Sequence, residues 1–250
     1  VSFAGCGFLS LYLVGAAACL QKHSPNLLER VSLCGASAGS LVAACLACNV
    51  PLETLKQSVL STAVDAQLWS MGPFSPSFNI EDYLREGLSH LPPDAHRIAQ
   101  DRLFVSLTRK RDMRNVVVSS WASREELIQS LLCSCFIPVF SGIKTPTFRG
   151  EAYIDGGFTD NLPIASTPNL SISPFAGGSS ICPKDHYKNP AHLRLGNHVV
   201  DATPANLVRL IRSILPPPIE DLHALYKQGF SQADSFLKKS SNNYIKRTQS

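Results

Sequence analysis

The chain has 250 residues, 44% hydrophobic and 17% charged, with a formal net charge of +4. That is enough apolar chain for one packed domain, and it excludes a disordered or fibrous polymer. The basic residues are scattered, apart from Arg109-Lys110-Arg111 and a thin series of Lys227, Lys238, Lys239, Lys246 and Arg247, so no nucleic-acid partner is indicated. This series reads first as a solvated face and second as a contact for an anionic membrane surface. Cys6, Cys19, Cys34, Cys45, Cys48, Cys133 and Cys135 lie in apolar segments, the pattern of buried thiols in a reducing, intracellular compartment. Cys45 and Cys48 have no second Cys or His pair at ligand spacing, and neither a metal nor another cofactor is expected.

The first charge in the chain is Lys22, which raises a membrane anchor or signal peptide. Gly5 and Gly7 interrupt that stretch and no basic segment precedes it, so it parses as a strand over 1–4, a glycine loop, and a helix over 8–21 that is apolar all round. The missing initial methionine is consistent with a short absent leader. A second strand is expected over 31–34, followed at once by Gly35-Ala36-Ser37-Ala38-Gly39 and a small-residue helix over 38–48. Pro51 suits the start of the next helix. Glycine and prolines make a loop of 72–79, ahead of a helix over 79–90 and a break at Pro92. Buried strands are expected over 103–108 and 116–120, joined by a charged turn. Ser123 and Glu126 have capping-box spacing before a helix through Leu131. A short run over 152–154 leads into Asp155-Gly156-Gly157, and 170–173 reads as the last core strand. Helices over 204–215 and from 219 to about 239 flank Pro216-Pro217-Pro218, with a frayed polar end of about ten residues. Apolar strands alternating with helices predict an α/β fold with a mainly parallel sheet covered on both sides.

In Gly-x-Ser-x-Gly, glycines clear the space where a strand swings into a helix and leave the serine hydroxyl accessible. Ser37 is therefore a candidate nucleophile, with Gly35 and Gly39 as its support. Gly5, Cys6 and Gly7, between the first strand and helix, offer backbone N–H groups for an oxyanion. The same loop, ending in Ser10, resembles a dinucleotide fingerprint, but Glu29 precedes the second strand and Cys34-Gly35 ends it, so the acidic ribose partner is missing. Asp155, supported by Gly156 and Gly157, is the candidate proton acceptor, against the plainer reading of a tight turn. His186, His192, His198 and His223 follow it in an order that would allow a triad, yet none sits in a catalytic motif and all read as loop or surface residues. A direct Ser37–Asp155 dyad is simpler. An aspartate of ordinary pKa, ~3.9, is a feeble base, so the dyad demands a desolvated site and close geometry.

The ordered set Ser2-Phe3-Ala4-Gly5-Cys6-Gly7-Phe8-Leu9, Gly35-Ala36-Ser37-Ala38-Gly39, Pro76-Ser77-Phe78-Asn79, Cys133-Ser134-Cys135-Phe136-Ile137-Pro138-Val139, Phe148-Arg149-Gly150, Asp155-Gly156-Gly157, Asn161-Leu162-Pro163 and Ile181-Cys182-Pro183 resembles patatin-like phospholipase domains. The likeness is to the branch containing adipose triglyceride lipase and adiponutrin. It implies a three-layer α/β/α sandwich, with a catalytic domain over 1–183 and a helix-rich extension over 184–250 packed on it. It also implies a Ser37–Asp155 dyad, an oxyanion loop at Gly5, Cys6 and Gly7, and triacylglycerol hydrolysis in intracellular lipid catabolism. Phospholipase action, acylglycerol or retinyl-ester transacylation, or a catalytically weak lipid-binding protein are the alternatives. The implied partner is a neutral lipid or phospholipid at a membrane or lipid-droplet surface, reached from the cytoplasm, with room for a protein coactivator. Two departures stand out: Ser10 replaces the glycine that usually closes the loop, and the tail lacks the long apolar region of droplet-targeted relatives. The apolar stretch 131–140 is a candidate acyl groove or a plain core element.

Overall fold

The computed structural model describes residues 1–165, 167 and 170–248. Its strands are β1 (Ser2–Phe3), β2 (Leu33–Ala36), β3 (Leu103–Arg109), β4 (Arg114–Val118), β5 (Thr147–Phe148), β6 (Glu151–Asp155), β7 (Ser171–Ile172), β8 (His192–Leu195) and β9 (His198–Asp201). Its helices are α1 (Ser10–His23), α2 (Pro25–Arg30), α3 (Ala38–Ala47), α4 (Leu52–Leu68), α5 (Ile80–Ser89), α6 (Ala95–Ala99), α7 (Arg124–Ser134), α8 (Pro204–Ile214) and α9 (Ile219–Thr248).

Strands β7, β1, β2 and β3 run parallel and form the centre of the sheet. Strands β1 and β2 are buried along their whole length, as strands must be when helices cover both faces of a parallel sheet. Strands β4 and β6 also pair with β3, on opposite edges, and β5 joins β6, all antiparallel. Helix α3 packs on β1, β2 and β3, and α7 packs on β3, β5 and β6. This is the α/β fold with a mainly parallel centre that the alternation of strands and helices predicts.

The register of β3 positions the site. Ser106 lies opposite Ala36 of β2 and Val117 of β4, while the next residue, Leu107, lies opposite Asp155 of β6 and Val116 of β4. Because β4 holds one edge of β3 through both positions, β2 and β6 share the other edge. They end head to head on consecutive residues of β3, whose Cα atoms are about 3.8 Å apart. Ala36, directly before Ser37, thus meets the strand end that carries Asp155.

Helix α1 touches α2, α3, α4 and α9 and is buried without interruption from Ser10 to Ala17, so it has no polar face to offer water. Its crossing with α9 is unusually close. A Cβ on Gly15 would fall 2.0 Å from the Tyr226 carbonyl oxygen, and one on Gly229 would fall 1.9 Å from that of Tyr12. Tyr12 adds a hydrogen bond from its hydroxyl to Gln232 Oε1.

Several expected elements shift. The second strand starts at Leu33 rather than Val31. Strand β4 leaves Arg114, Asn115 and Val117 exposed, whereas a buried strand was expected from its three valines, which satisfy an edge strand equally well. Ser123 caps α7 by accepting the Glu126 N–H at 3.1 Å, and Glu126 accepts from Ala122 rather than closing the box on Ser123. Helix α9 runs on through Thr248 instead of fraying after Lys239; the last two residues lie outside the described set. The β8–β9 hairpin was not anticipated.

Replacing Gly15 or Gly229 with valine forces the α1 and α9 backbones apart. Each variant is expected to lose on the order of 3 kcal/mol of stability, the upper range for overpacking, read as a lower denaturation midpoint in urea.

Candidate active site

Ser37 occupies the step between β2 and α3 with φ 51° and ψ −133°, a backbone conformation that a residue with a Cβ adopts only under strain. Its surroundings hold it there. The Ser37 N–H donates to Ser134 Oγ at 2.9 Å, and Ser134 Oγ donates to the Ser106 carbonyl at 2.8 Å. Ser40 Oγ donates to the Ser37 carbonyl at 2.6 Å. Gly39 lets the first turn of α3 pass over the end of β1, since a Cβ there would lie 2.2 Å from the Phe3 carbonyl oxygen.

Asp155 is buried, its N–H donates to the Phe136 carbonyl at 2.8 Å, and its Oδ1 accepts the Gly157 N–H at 2.7 Å. Burial pushes its pKa up to about 6, although the nearby Ser37 hydroxyl and the hydrogen bond from the Gly157 backbone pull the other way. Among the described residues no cation offsets that burial. Desolvation therefore outweighs hydrogen bonding, and the carboxylate becomes a far better base than an exposed one. The neighbouring thiols of Cys6 and Cys135 are pushed up by burial and then by the Asp155 charge, which keeps them protonated.

The glycine loop abuts this pair, a Cβ on Gly5 falling 3.0 Å from Ser37 Cβ. Its three N–H groups are not equivalent. The Gly5 N–H donates to Asn161 Oδ1 at 3.0 Å, so the expectation that Gly5 serves as an oxyanion donor is corrected: that hydrogen is already engaged. The Cys6 and Gly7 N–H groups have no acceptor among the described residues. Ser10 has φ −57° and ψ −21°, ordinary right-handed geometry open to any L-residue. Its departure from glycine imposes no backbone strain.

Ser37, Asp155, Cys6 and Gly7 open onto a cavity of about 770 Å³. Its walls are apolar, with Leu55 and Val59 from α4, Ile80 and Leu84 from α5, and Leu207 and Leu210 from α8. Of the stretch 131–140, Cys135, Ile137 and Phe140 reach this cavity, while Leu131 is core.

The four downstream histidines divide sharply. His186, His192 and His223 are exposed, and His192 pairs with Asp201 at 2.9 Å. His198 contradicts the surface reading: it is buried in the cavity wall, with Nδ1 3.0 Å from Asn161 Nδ2 and Nε2 3.0 Å from Ser173 Oγ. Both ring nitrogens are thereby occupied, leaving none for the Ser37 proton. The sequence assigns no task to Asn161 or Ser134, and offers His198 only as one of four histidines in triad order. The signal for the hairpin that carries His198 was present, because Gly196-Asn197 between two alternating runs is a two-residue turn signature.

A separate group at the α1–α9 crossing, Cys19, His23 and Asp234, brings three possible ligand atoms within 4.8 Å of one another. Asp234 already accepts from the Lys238 ammonium at 2.6 Å, and Lys22 adds a second positive charge nearby, so a cation would meet two others there.

The family model described as Patatin-like phospholipase matches residues 1–167. Over 242 residues the chain is 40% identical to Patatin-like phospholipase domain-containing protein 2 of Rattus norvegicus, covering 96% of this chain and 51% of that protein. It is 39% identical to 1-acylglycerol-3-phosphate O-acyltransferase Pnpla3 of Mus musculus, covering 95% of this chain and 58% of that protein. Against Patatin-like phospholipase domain-containing protein 4 of Homo sapiens the identity is 38%, with 96% of each chain covered. The chain thus spans about half the length of the first two relatives. The chain belongs to the patatin-like phospholipase family.

Proposed function

We propose that this chain is a serine carboxylic-ester hydrolase that cleaves fatty-acyl esters of acylglycerols, with Ser37 as nucleophile and Asp155 as its direct proton acceptor. One observation carries the reading: a serine held in a strained left-handed turn faces a buried carboxylate that has no counter-ion among the described residues, both in the wall of a large apolar cavity. Asp155 takes the Ser37 proton as the hydroxyl attacks the ester carbonyl. The Cys6 and Gly7 N–H groups and the positive end of α3 stabilise the oxyanion. Asp155 then returns the proton to the departing alcohol, leaving an acyl-serine. Water, activated by the same carboxylate, releases the fatty acid.

A second alcohol in place of that water would make the site a transacylase. This alternative is favoured by relatives named for acyl transfer, the Mus musculus O-acyltransferase Pnpla3 and an omega-hydroxyceramide transacylase of the same species. A panel of triacylglycerol, diacylglycerol, phospholipid and retinyl ester, with Ser37→Ala as blank and an added acceptor alcohol, separates these readings. The Ser37→Ala chain is expected to resist fluorophosphonate labelling.

The reading includes a lipid surface, membrane or droplet, as the place of work. No helix among the described residues is long and apolar enough to cross a membrane. Exposed apolar side chains instead gather near the cavity. Val139, with φ 74°, and Ile143 project from the loop beside Phe140, at 80% and 97% exposure. Phe74 meets Phe140 edge-on at 5.6 Å, and Ile211 and Leu215 are exposed at the outer side of α8. An acyl chain could pass from a lipid phase to the apolar walls without crossing water.

Three outcomes are expected. First, Asp155→Asn lowers kcat by 10³-fold or about that, while alanine at His186, His192 or His223 leaves most activity; wild-type kcat falls with a single-proton limb as pH drops through about 6. Second, stability shifts with pH. The folded pKa of Asp155 is raised, so the unfolded chain releases its proton first, and stability declines as pH rises from about 4 through about 6. Asp155→Asn removes that cost and should be stabler than wild type at pH 8, by up to about 3 kcal/mol, with the difference vanishing near pH 4 by thermal denaturation. Third, Ile211→Asp with Leu215→Asp reduces flotation with phospholipid vesicles and hydrolysis of emulsified triacylglycerol severalfold, with a smaller change on a soluble short-chain ester.

A further inference from the structure

One group of buried polar side chains beside Ser37 takes no part in that scheme. The Asn161 carboxamide grips Gly5 at both ends. Its Oδ1 accepts the Gly5 N–H at 3.0 Å, and its Nδ2 donates to the Gly5 carbonyl at 3.1 Å. That carbonyl shares a planar peptide unit with the Cys6 N–H, and in a trans peptide the two point in opposite directions. Drawing the carbonyl onto Asn161 therefore turns the Cys6 N–H away from Asn161, and Cys6 borders the cavity.

The amide cannot be flipped, because its oxygen would then face the Gly5 carbonyl and its NH₂ the Gly5 N–H. The second Nδ2 hydrogen is thus directed at His198 Nδ1, 3.0 Å away. His198 must accept there, which places its own hydrogen on Nε2, donating to Ser173 Oγ at 3.0 Å. Ser173 Oγ also accepts the Phe175 N–H at 3.0 Å. Burial lowers the His198 pKa to about 4, so the ring stays neutral and its acceptor stays available at neutral pH.

We propose that Asn161 and His198 are positioning residues for ester cleavage: Asn161 orients the Gly5–Cys6 peptide so that the Cys6 N–H meets the developing oxyanion, and His198 locks the Asn161 amide in the state that does so. The assignment rests on the reading of Ser37 as nucleophile and of the Cys6 and Gly7 N–H groups as oxyanion donors. It ties the β8–β9 hairpin to the first loop of the chain through a fully hydrogen-bonded relay.

The test is steady-state kinetics on a soluble short-chain nitrophenyl ester for wild type, His198→Leu, His198→Asn and Asn161→Asp, with Ser37→Ala as blank. Asparagine can present its Oδ1 near the place of the imidazole Nδ1, whereas leucine offers no acceptor. His198→Leu is expected to lower kcat about tenfold with KM unchanged, and His198→Asn to recover it to within about threefold of wild type. Asn161→Asp keeps the acceptor for the Gly5 N–H but loses both hydrogens, and should lower kcat by about 10²- to 10³-fold, as for a lost oxyanion donor. Equal kcat for His198→Leu and His198→Asn, or a loss confined to KM, overturns the proposal. Should His198→Leu fail to fold by near-ultraviolet circular dichroism, Asn161→Asp decides, and wild-type kcat in that variant overturns it. Turnover by Ser37→Ala at the wild-type rate would sink the reading of the whole site, whereas a dead Ser37→Ala beside an unaffected His198→Leu removes the relay alone.

Discussion

The approach of the Ser37 side chain to the Asp155 carboxylate brings together two groups that each carry a folding cost. A non-glycine residue at positive φ costs roughly 1–3 kcal/mol, and a buried carboxylate without a cation gives up hydration that hydrogen bonds only partly replace. Neither cost would persist in a loosely packed region. Both groups end short strands that share one edge of β3, so backbone pairing decides their approach before any side chain does. The apolar walls then lower the local dielectric around the pair, which strengthens every electrostatic effect inside.

In the proposed scheme, the same logic accounts for the glycine loop using one of its N–H groups for anchoring. A donor contributes to catalysis only if it already points at the place where charge develops. Giving up the Gly5 hydrogen to Asn161 leaves fewer donors, but it fixes the peptide that carries the next one. Ser134 does comparable service for the Ser37 backbone from the end of α7.

Local chemistry made much of this legible in the sequence. The turn around Ser37, the strand running into Asp155 and the cap at Ser123 all depend on residues within a few positions of one another, and each lies where propensity and spacing put it. The patterns that misled are those settled by distant neighbours. Three valines in β4 look the same on an exposed edge as in a core. His198 looks like a loop histidine until a hairpin folds it against Asn161, 37 positions away in the chain. Asn161 could be quoted as part of a motif, yet its task is defined by Gly5, 156 positions earlier. The engagement of the Gly5 N–H could not be read from a glycine loop at all, because every N–H in such a loop is equivalent until a partner is placed beside it.

The glycine-to-glycine crossing of α1 and α9 has a reach beyond packing. Helix α1 is the direct continuation of the loop that carries Cys6 and Gly7, and α9 covers one of its sides at backbone contact distance. Helix α9 therefore braces the helix into which the glycine loop runs. In the proposed scheme, loosening it would leave Ser37 and Asp155 in the sequence and yet let the Cys6 and Gly7 N–H groups drift, so α9 would count as a mechanical part of the site.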